Sequence, residues 1–181
     1  MKDFDESIVL KTEHLYLRFP KEEDREALFR NINHDRDVLQ YYVDSYAKDP
    51  EDYSIEKRIA SFREKQMFIF TIVLKETDEV IGLIHQCSNP NTAMNTVEVG
   101  YAIGKKYWNR GYVTEAMKAM ITFLFEKGVH KVVACHIVDN KASGRVMKKC
   151  GMIYEGKRID EIYYHDQYHD TEHYYILNEG E

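Results

Sequence analysis

The chain has 181 residues, 44% of them hydrophobic, with 25 bases against 31 acids and three cysteines, a length and composition suited to one globular domain that needs no disulfide or metal staple. No apolar run approaches the ~20 residues of a bilayer span, the acidic stretch MKDFDESIVL lacks the basic and apolar parts of a secretion signal, and a net charge of -6 disfavours a dedicated nucleic-acid binder. The expectation is a single domain over residues 1–181, cytoplasmic, with neither membrane nor nucleic acid as partner.

In chain order, HLYLRF (14–19) predicts a short strand. EEDREALFRNIN (22–33) predicts one helix, with Ala27, Leu28 and Ile32 at helical spacing behind an acid-rich first turn. SIEKRIASFREK (54–65) predicts a second, with Ile55, Ile59 and Phe62 on one side. MFIFTIVL (67–74) and VIGLIHQC (80–87) read as a hairpin around a Glu-Thr-Asp-Glu turn.

TVEVGYAI (96–103) alternates Val97, Val99, Tyr101 and Ile103 with Glu98, Gly100 and Ala102, leaving one carboxylate among small neighbours. From Gly111, the stripe Val113, Met117, Met120, Ile121, Leu124 and Phe125 predicts a long helix ending at Lys127-Gly128. KVVACHIV (131–138) is apolar on both faces, as a central strand would be. NKASGRVMKKCGM (140–152) predicts a helix with Asn140 as N-cap and Gly151 as its stop. EGKRIDEIYYH (155–165) and QYHDTEHYYIL (167–177) pair as a final hairpin, so the second half predicts an α/β architecture with a mixed sheet.

Cys87, Cys135 and Cys150 lie in or beside apolar segments without CxxC spacing, which predicts buried free thiols. His165, His169 and His173 recur every four residues, but their tyrosine-rich surroundings predict strands. His169 and His173 would then stand ~13 Å apart, too far to share a metal ion. No metal is expected. Tyr41, Tyr42, Tyr46, Tyr53 and the late tyrosines are candidates to wall a cleft.

Charge is focused within this acidic chain. Residues 104–112 hold three bases and no acid, and residues 140–151 hold four and no acid, leaving 18 bases against 31 acids elsewhere. The stretch YWNRGYVTEAM (107–117) places Arg110 and Gly111 at the mouth of the long helix. A helix start presents unpaired N–H groups and roughly half a positive charge, and glycine lets an anion approach the backbone, with Lys105, Lys106 and Arg110 adding full charges. GxxxxGK[ST] and GxGxxG are both missing, which gives a nucleotide triphosphate or NAD little support.

Together, TVEVGYAI, YWNRGYVTEAM and NKASGRVMKKCGMIYEG resemble the core of the GNAT superfamily of acyl-CoA-dependent N-acetyltransferases. Within it the chain is similar to the RimJ/RimL-type branch, whose turn often reads W-G-x-G-Y-A-T-E-A, and TEHLYLRF matches that branch too. The resemblance implies an α/β fold with a mixed, mostly antiparallel sheet of about seven strands, splayed in the middle and flanked by about four helices. It also implies acetyl-CoA as cosubstrate and an amine as acceptor, in a monomer or homodimer.

Carried over by position, the pyrophosphate turn is Trp108, Asn109, Arg110, Gly111, Tyr112 and Val113, with Lys106 before it and Thr114 after it. Asn109 stands where the branch usually has glycine, and Val113 where it has glycine or alanine. Backbone groups of Val99, Gly100 and Tyr101 would bond the pantetheine arm and the thioester oxygen. Asn140 would contact the arm, Arg145 would add charge near it, and Ser143 would hydrogen-bond the sulfur. Met147 occupies the position at which many members carry a tyrosine acid, leaving Ser143 and the helix dipole, with Tyr154 or Glu161 as further candidates.

Glu98 is the candidate base, acting directly or through water. An α-amine with a pKa of about 7.7 to 8.0 demands less of such a base than a lysine at about 10.4, so the expected acceptor is a protein amino terminus of the ribosomal-protein type. The alternatives are a small amine (a polyamine, amino acid or antibiotic) and a non-catalytic acyl-CoA sensor. An RNA-binding module is disfavoured by the acidic remainder.

Overall fold

β-Branched and aromatic residues concentrate where the sheet forms, as a pleated, half-buried surface favours. The computed structural model describes residues 4–44, 47–87, 93 and 95–180; Tyr46, a candidate cleft residue, lies outside them. Among the described residues eight strands make one sheet in the order β1-β2-β3-β4-β5-β6-β8-β7. They are β1 (Val9–Lys11), β2 (Leu15–Arg18), β3 (Ile69–Leu74), β4 (Val80–Gln86), β5 (Thr96–Ile103), β6 (Lys131–Ile137), β7 (Ile153–Tyr164) and β8 (Gln167–Leu177). Every pairing is antiparallel except that of β5 with β6.

Five α-helices accompany the sheet among the described residues: α1 (Arg25–Leu28), α2 (Arg36–Leu39), α3 (Ile55–Lys65), α4 (Tyr112–Glu126) and α5 (Lys141–Lys149). Both counts exceed the expected seven and four by one. The added strand, β1, is three residues of VLK, too short to show alternation. The helix expected over 22–33 is three pieces: a 3-10 turn at Glu22–Asp24, α1, and a π-helical turn at Phe29–Asn33. The apolar spacing held through this stretch, but local hydrogen bonding departed from the α pattern. β7 begins two residues before the expected start at Glu155.

The sheet alternates its side chains into two cores. Phe68, Phe70 and Ile72 meet Met117, Met120 and Leu124 of α4 on one face, while Ile69 and Val73 meet Leu28, Ile32, Ile55 and Ile59 on the other. Each such side chain, fully buried, contributes about 1.5 to 3 kcal/mol, so α4 is held by its apolar stripe. No helix among the described residues is long and apolar enough to cross a membrane.

One break in the sheet positions everything that follows. β5 pairs with β6 only from Thr96 to Glu98, against Lys131 to Val133. Beyond that point Val99 to Ile103 continue with β4, and Ala134 to Ile137 continue with β8. The strands diverge, and the predicted splay opens where Glu98 ends the pairing.

Candidate active site

A cleft of about 730 Å³ runs through the splay, within the range usual for small-molecule sites. At one end lies the start of α4. Gly111, its N-cap, has φ +86°, and a Cβ there would meet no atom within 4 Å. The backbone conformation, not space, therefore calls for glycine. Asn109 has φ +60°, a left-handed conformation that asparagine enters more readily than most residues. This explains how asparagine serves at a position where glycine is usual.

Glycine has no side chain to cap the first turn, so the amino end of α4 is left without a side-chain cap. The open N–H groups and the helix dipole suit an anion. α5 is built differently: Asn140 Oδ1 accepts from the Ser143 N–H at 3.3 Å. Val113 packs its branched side chain partly against the α4 core and also lines the cleft.

Trp108, Asn109, Gly111, Tyr112, Val113 and Thr114 line the cleft, as do Val99, Gly100, Tyr101, Asn140, Ser143 and Arg145. Arg110 is exposed outside this lining. Lys106 is not brought to the cleft: its Nζ lies 3.1 Å from Glu79 Oε1 and over the Tyr107 ring. Lys105 pairs with Asp37 at 2.5 Å. The positive charge focused in the sequence at 104–112 is thus partly spent on neighbouring acids.

Across the splay, the Tyr101 hydroxyl donates to the Ser143 carbonyl oxygen at 3.4 Å, joining β5 to the start of α5. Ser143 Oγ accepts from Asn140 Nδ2 at 3.1 Å, which leaves the hydroxyl proton available to a partner in the cleft. Met147 is buried in the α4 core. Tyr154 is half exposed and does not line the cleft.

Glu161 does not line it either. Burial alone would raise its carboxyl, but hydrogen bonds from Thr171, Arg158 and His173 outweigh that and hold it at about 2. So strongly bound a carboxylate is a weak base.

Glu98 belongs to the other face of β5. Its Oε1 lies 3.4 Å from the Cys135 thiol, and both residues line the cleft. Burial and then the Glu98 charge push that thiol up to about 12, so Cys135 stays protonated and is a poor nucleophile. Gly100 follows on the same face, where a Cβ would come within 2.8 Å of Cys87 Sγ. Beside it, His85 Nδ1 donates to Gln86 O at 2.9 Å, leaving Nε2 to accept from the Tyr42 hydroxyl at 3.0 Å. Burial lowers this imidazole to about 4 and keeps it neutral.

Tyr41, Tyr42 and Ile162 complete this wall. Tyr53 does not; it is buried in the α3 core. Asp37 and Asp139 also line the cleft, but Asp37 is held by Lys105 and Asp139 is exposed beside the α5 start. Among the described residues Glu98 is the half-buried carboxylate of the cleft, at the strand break itself, while Asp37 and Asp139 are exposed.

Sequence reasoning missed His85, Ile162 and the chemistry of Cys135, whose neighbours are remote in the chain. It also missed Glu115, whose carboxylate accepts from the His14 N–H at 2.7 Å and the Thr12 hydroxyl at 2.5 Å, tying the first turn of α4 to the β1–β2 connection. An acid in a helix's first turn was the available signal. The histidines of the last hairpin lie as the strand reading required: His173 Nε2 is 2.6 Å from Glu161, and His169 bonds the Tyr164 carbonyl at 3.0 Å.

The Acetyltransferase (GNAT) domain family matches residues 14–153. A crystal structure of a GNAT-family acetyltransferase from Bacillus anthracis is 28% identical, with a TM-score of 0.82, covering 96% of this chain and 100% of that one. The ribosomal protein uS5 alanine N-acetyltransferase of Escherichia coli is 25% identical over 109 residues, 60% of this chain and 56% of that protein. The fold is also that of a spermidine N-acetyltransferase from Vibrio cholerae, solved with CoA and spermine, at 19% identity and a TM-score of 0.78, covering 91% of this chain and 96% of that one.

Proposed function

The chain belongs to the GNAT acetyltransferase family, and from that premise we propose that it moves acetyl from acetyl-CoA directly onto a single primary amine, the α-amine of a protein amino terminus. The uncapped start of α4, with Arg110 exposed beside it, fits a pyrophosphate in charge and in backbone donors. The stretch of β5 from Val99 to Tyr101, paired with β4 but no longer with β6, fits an extended pantetheine arm that bonds a strand edge.

The observation that carries the acceptor reading is the isolation of Glu98. It takes the amine proton, directly or through water, with the protonated Cys135 thiol beside it and neutral Tyr42 and His85 lining the same cleft. One carboxylate suits one ammonium. A polyamine carries several charges and would call for several carboxylates along its length.

Ser143 and the N–H groups at the α5 start hold the departing sulfur. A Cys135 thiol held near 12 is not poised to form an acyl-enzyme, which supports attack in a ternary complex. A sensor that only binds acyl-CoA would have no use for a carboxylate lining the cleft beside a protonated thiol.

The test is free-CoA release with three acceptors: a peptide with a free amino terminus, the same peptide amino-terminally blocked with an internal lysine, and spermidine. Release with the first at a kcat/KM at least about tenfold above the others is expected. Preference for spermidine would replace this reading with the small-amine one, and no release with any amine would favour the sensor.

A further inference from the structure

The acceptor wall is held together from a distance. Its two parts come from opposite ends of the chain: residues 37–43 contribute Val38, Tyr41 and Tyr42, and β7 contributes Ile162. Two residues past Ile162, the Tyr164 hydroxyl reaches the first part. It lies 2.8 Å from the carbonyl oxygen of Leu39, 3.2 Å from that of Tyr42 and 3.4 Å from that of Asp44. A phenol has one proton to donate, so Leu39 receives it and the other carbonyls close around the same point. His165 Nε2 adds a longer contact to the Leu39 carbonyl at 3.4 Å.

The 37–43 part is anchored from below as well. The Tyr42 hydroxyl donates to His85 and accepts from Arg58 at 3.4 Å, and Arg58 in turn pairs with Asp44. The inner side of this segment is therefore fixed to β4 and α3, and its outer side to the hairpin by Tyr164. The spacing between Tyr42 and Ile162 is set where the hydroxyl bridges them.

We propose that Tyr164 is a specificity-determining residue, a latch that fixes the width of the acceptor half and so limits the bulk allowed beside the reacting amine. The proposal rests on the Glu98 face being the acceptor side. With the latch closed, the walls favour a small first residue over a large one. Without it, the 37–43 segment remains tied to His85 but can move away from β7.

Tyr164→Phe removes only the bridging hydroxyl and leaves the ring. Hydrogen exchange at residues 38–44 needs no acceptor and reads the latch by itself. Faster exchange there, about five- to tenfold, with the start of α4 unchanged, is expected for one lost hydrogen bond. Unchanged exchange in 38–44 overturns the latch whatever the enzyme acetylates.

The second readout is the ratio of kcat/KM for two free-amine peptides differing only in Ala or Phe at the first position. The wild type should prefer Ala, and Tyr164→Phe should cut that preference about tenfold, with the CoA Kd unchanged. Ile162→Ala should also reduce it while leaving exchange in 38–44 as in the wild type. An unchanged ratio in a Tyr164→Phe protein of native melting behaviour overturns the specificity role. Failure of the wild type to use either peptide, with exchange altered as expected, instead overturns the amino-terminal acceptor.

Discussion

The two halves of the cleft are built on opposite principles. The half proposed for the coenzyme is made of local features: a left-handed glycine, an uncapped helix start and an asparagine cap, all between residues 108 and 145 and mostly exposed. The half proposed for the acceptor is assembled from segments around residues 42, 85, 98, 135 and 162, with Glu98 among uncharged Tyr42, His85, Cys135 and Ile162. Backbone donors suffice to hold a charged, repetitive group such as a pyrophosphate. Selecting and deprotonating one amine takes side chains at set distances, which only a folded sheet supplies.

If the halves are separate, substitutions should divide cleanly between acceptor chemistry and coenzyme affinity. The largest effect belongs to Glu98→Gln, which should lower kcat by about 10² to 10⁴ with the CoA Kd unchanged. The loss should be greatest below the pKa of the amine, where deprotonation limits the rate. A wild-type pH–rate profile in this variant would move the base elsewhere.

Gly111→Asp should do the reverse, raising the CoA Kd by about ten- to hundredfold through repulsion at the helix start. Calorimetry on the folded variant reads this, and wild-type affinity would remove the pyrophosphate from that end. Ser143→Ala stands at the junction of the two halves and sharpens the boundary. It should reduce kcat about ten- to hundredfold, on the order of 1.4 to 2.7 kcal/mol, with little change in acetyl-CoA Kd.

Glu161→Gln probes the hairpin that carries the acceptor wall. Its carboxyl is depressed from 4.5 to about 2 in the folded protein, so its stabilisation is present above pH 4.5 and is lost as pH falls towards 2. The variant should be about 1 to 3 kcal/mol less stable at neutral pH, and the two denaturation midpoints should converge across that acid window. Asn109→Gly should have the smallest effect, within about 1 kcal/mol of wild-type stability, with CoA affinity retained. A large loss of affinity there would mean that the Asn109 side chain, and not only its backbone, holds the coenzyme.

This contrast also explains what the sequence disclosed. The two long helices, their ends and the paired strands follow from periodicity and capping residues that lie within one segment. Glu98 stood out because its strand face is otherwise small. Lys105 and Lys106 misled, since their partners Asp37 and Glu79 are far away in the chain. His85, Cys135 and Ile162 carried no local signal, because their surroundings exist only after β4, β6 and β7 have joined the sheet. The Phe29–Asn33 π turn was hidden for a related reason, since its apolar residues keep nearly the spacing of an α-helix.

The most direct test is a crystal structure of the protein with CoA bound. The pyrophosphate should lie against the N–H groups that open α4, and the sulfur should enter the splay between Val99 and Ser143, with Glu98 facing it from the other side of β5. A coenzyme bound with its phosphates away from Gly111, or with its sulfur outside the splay, would contradict both the site and the chemistry assigned to it.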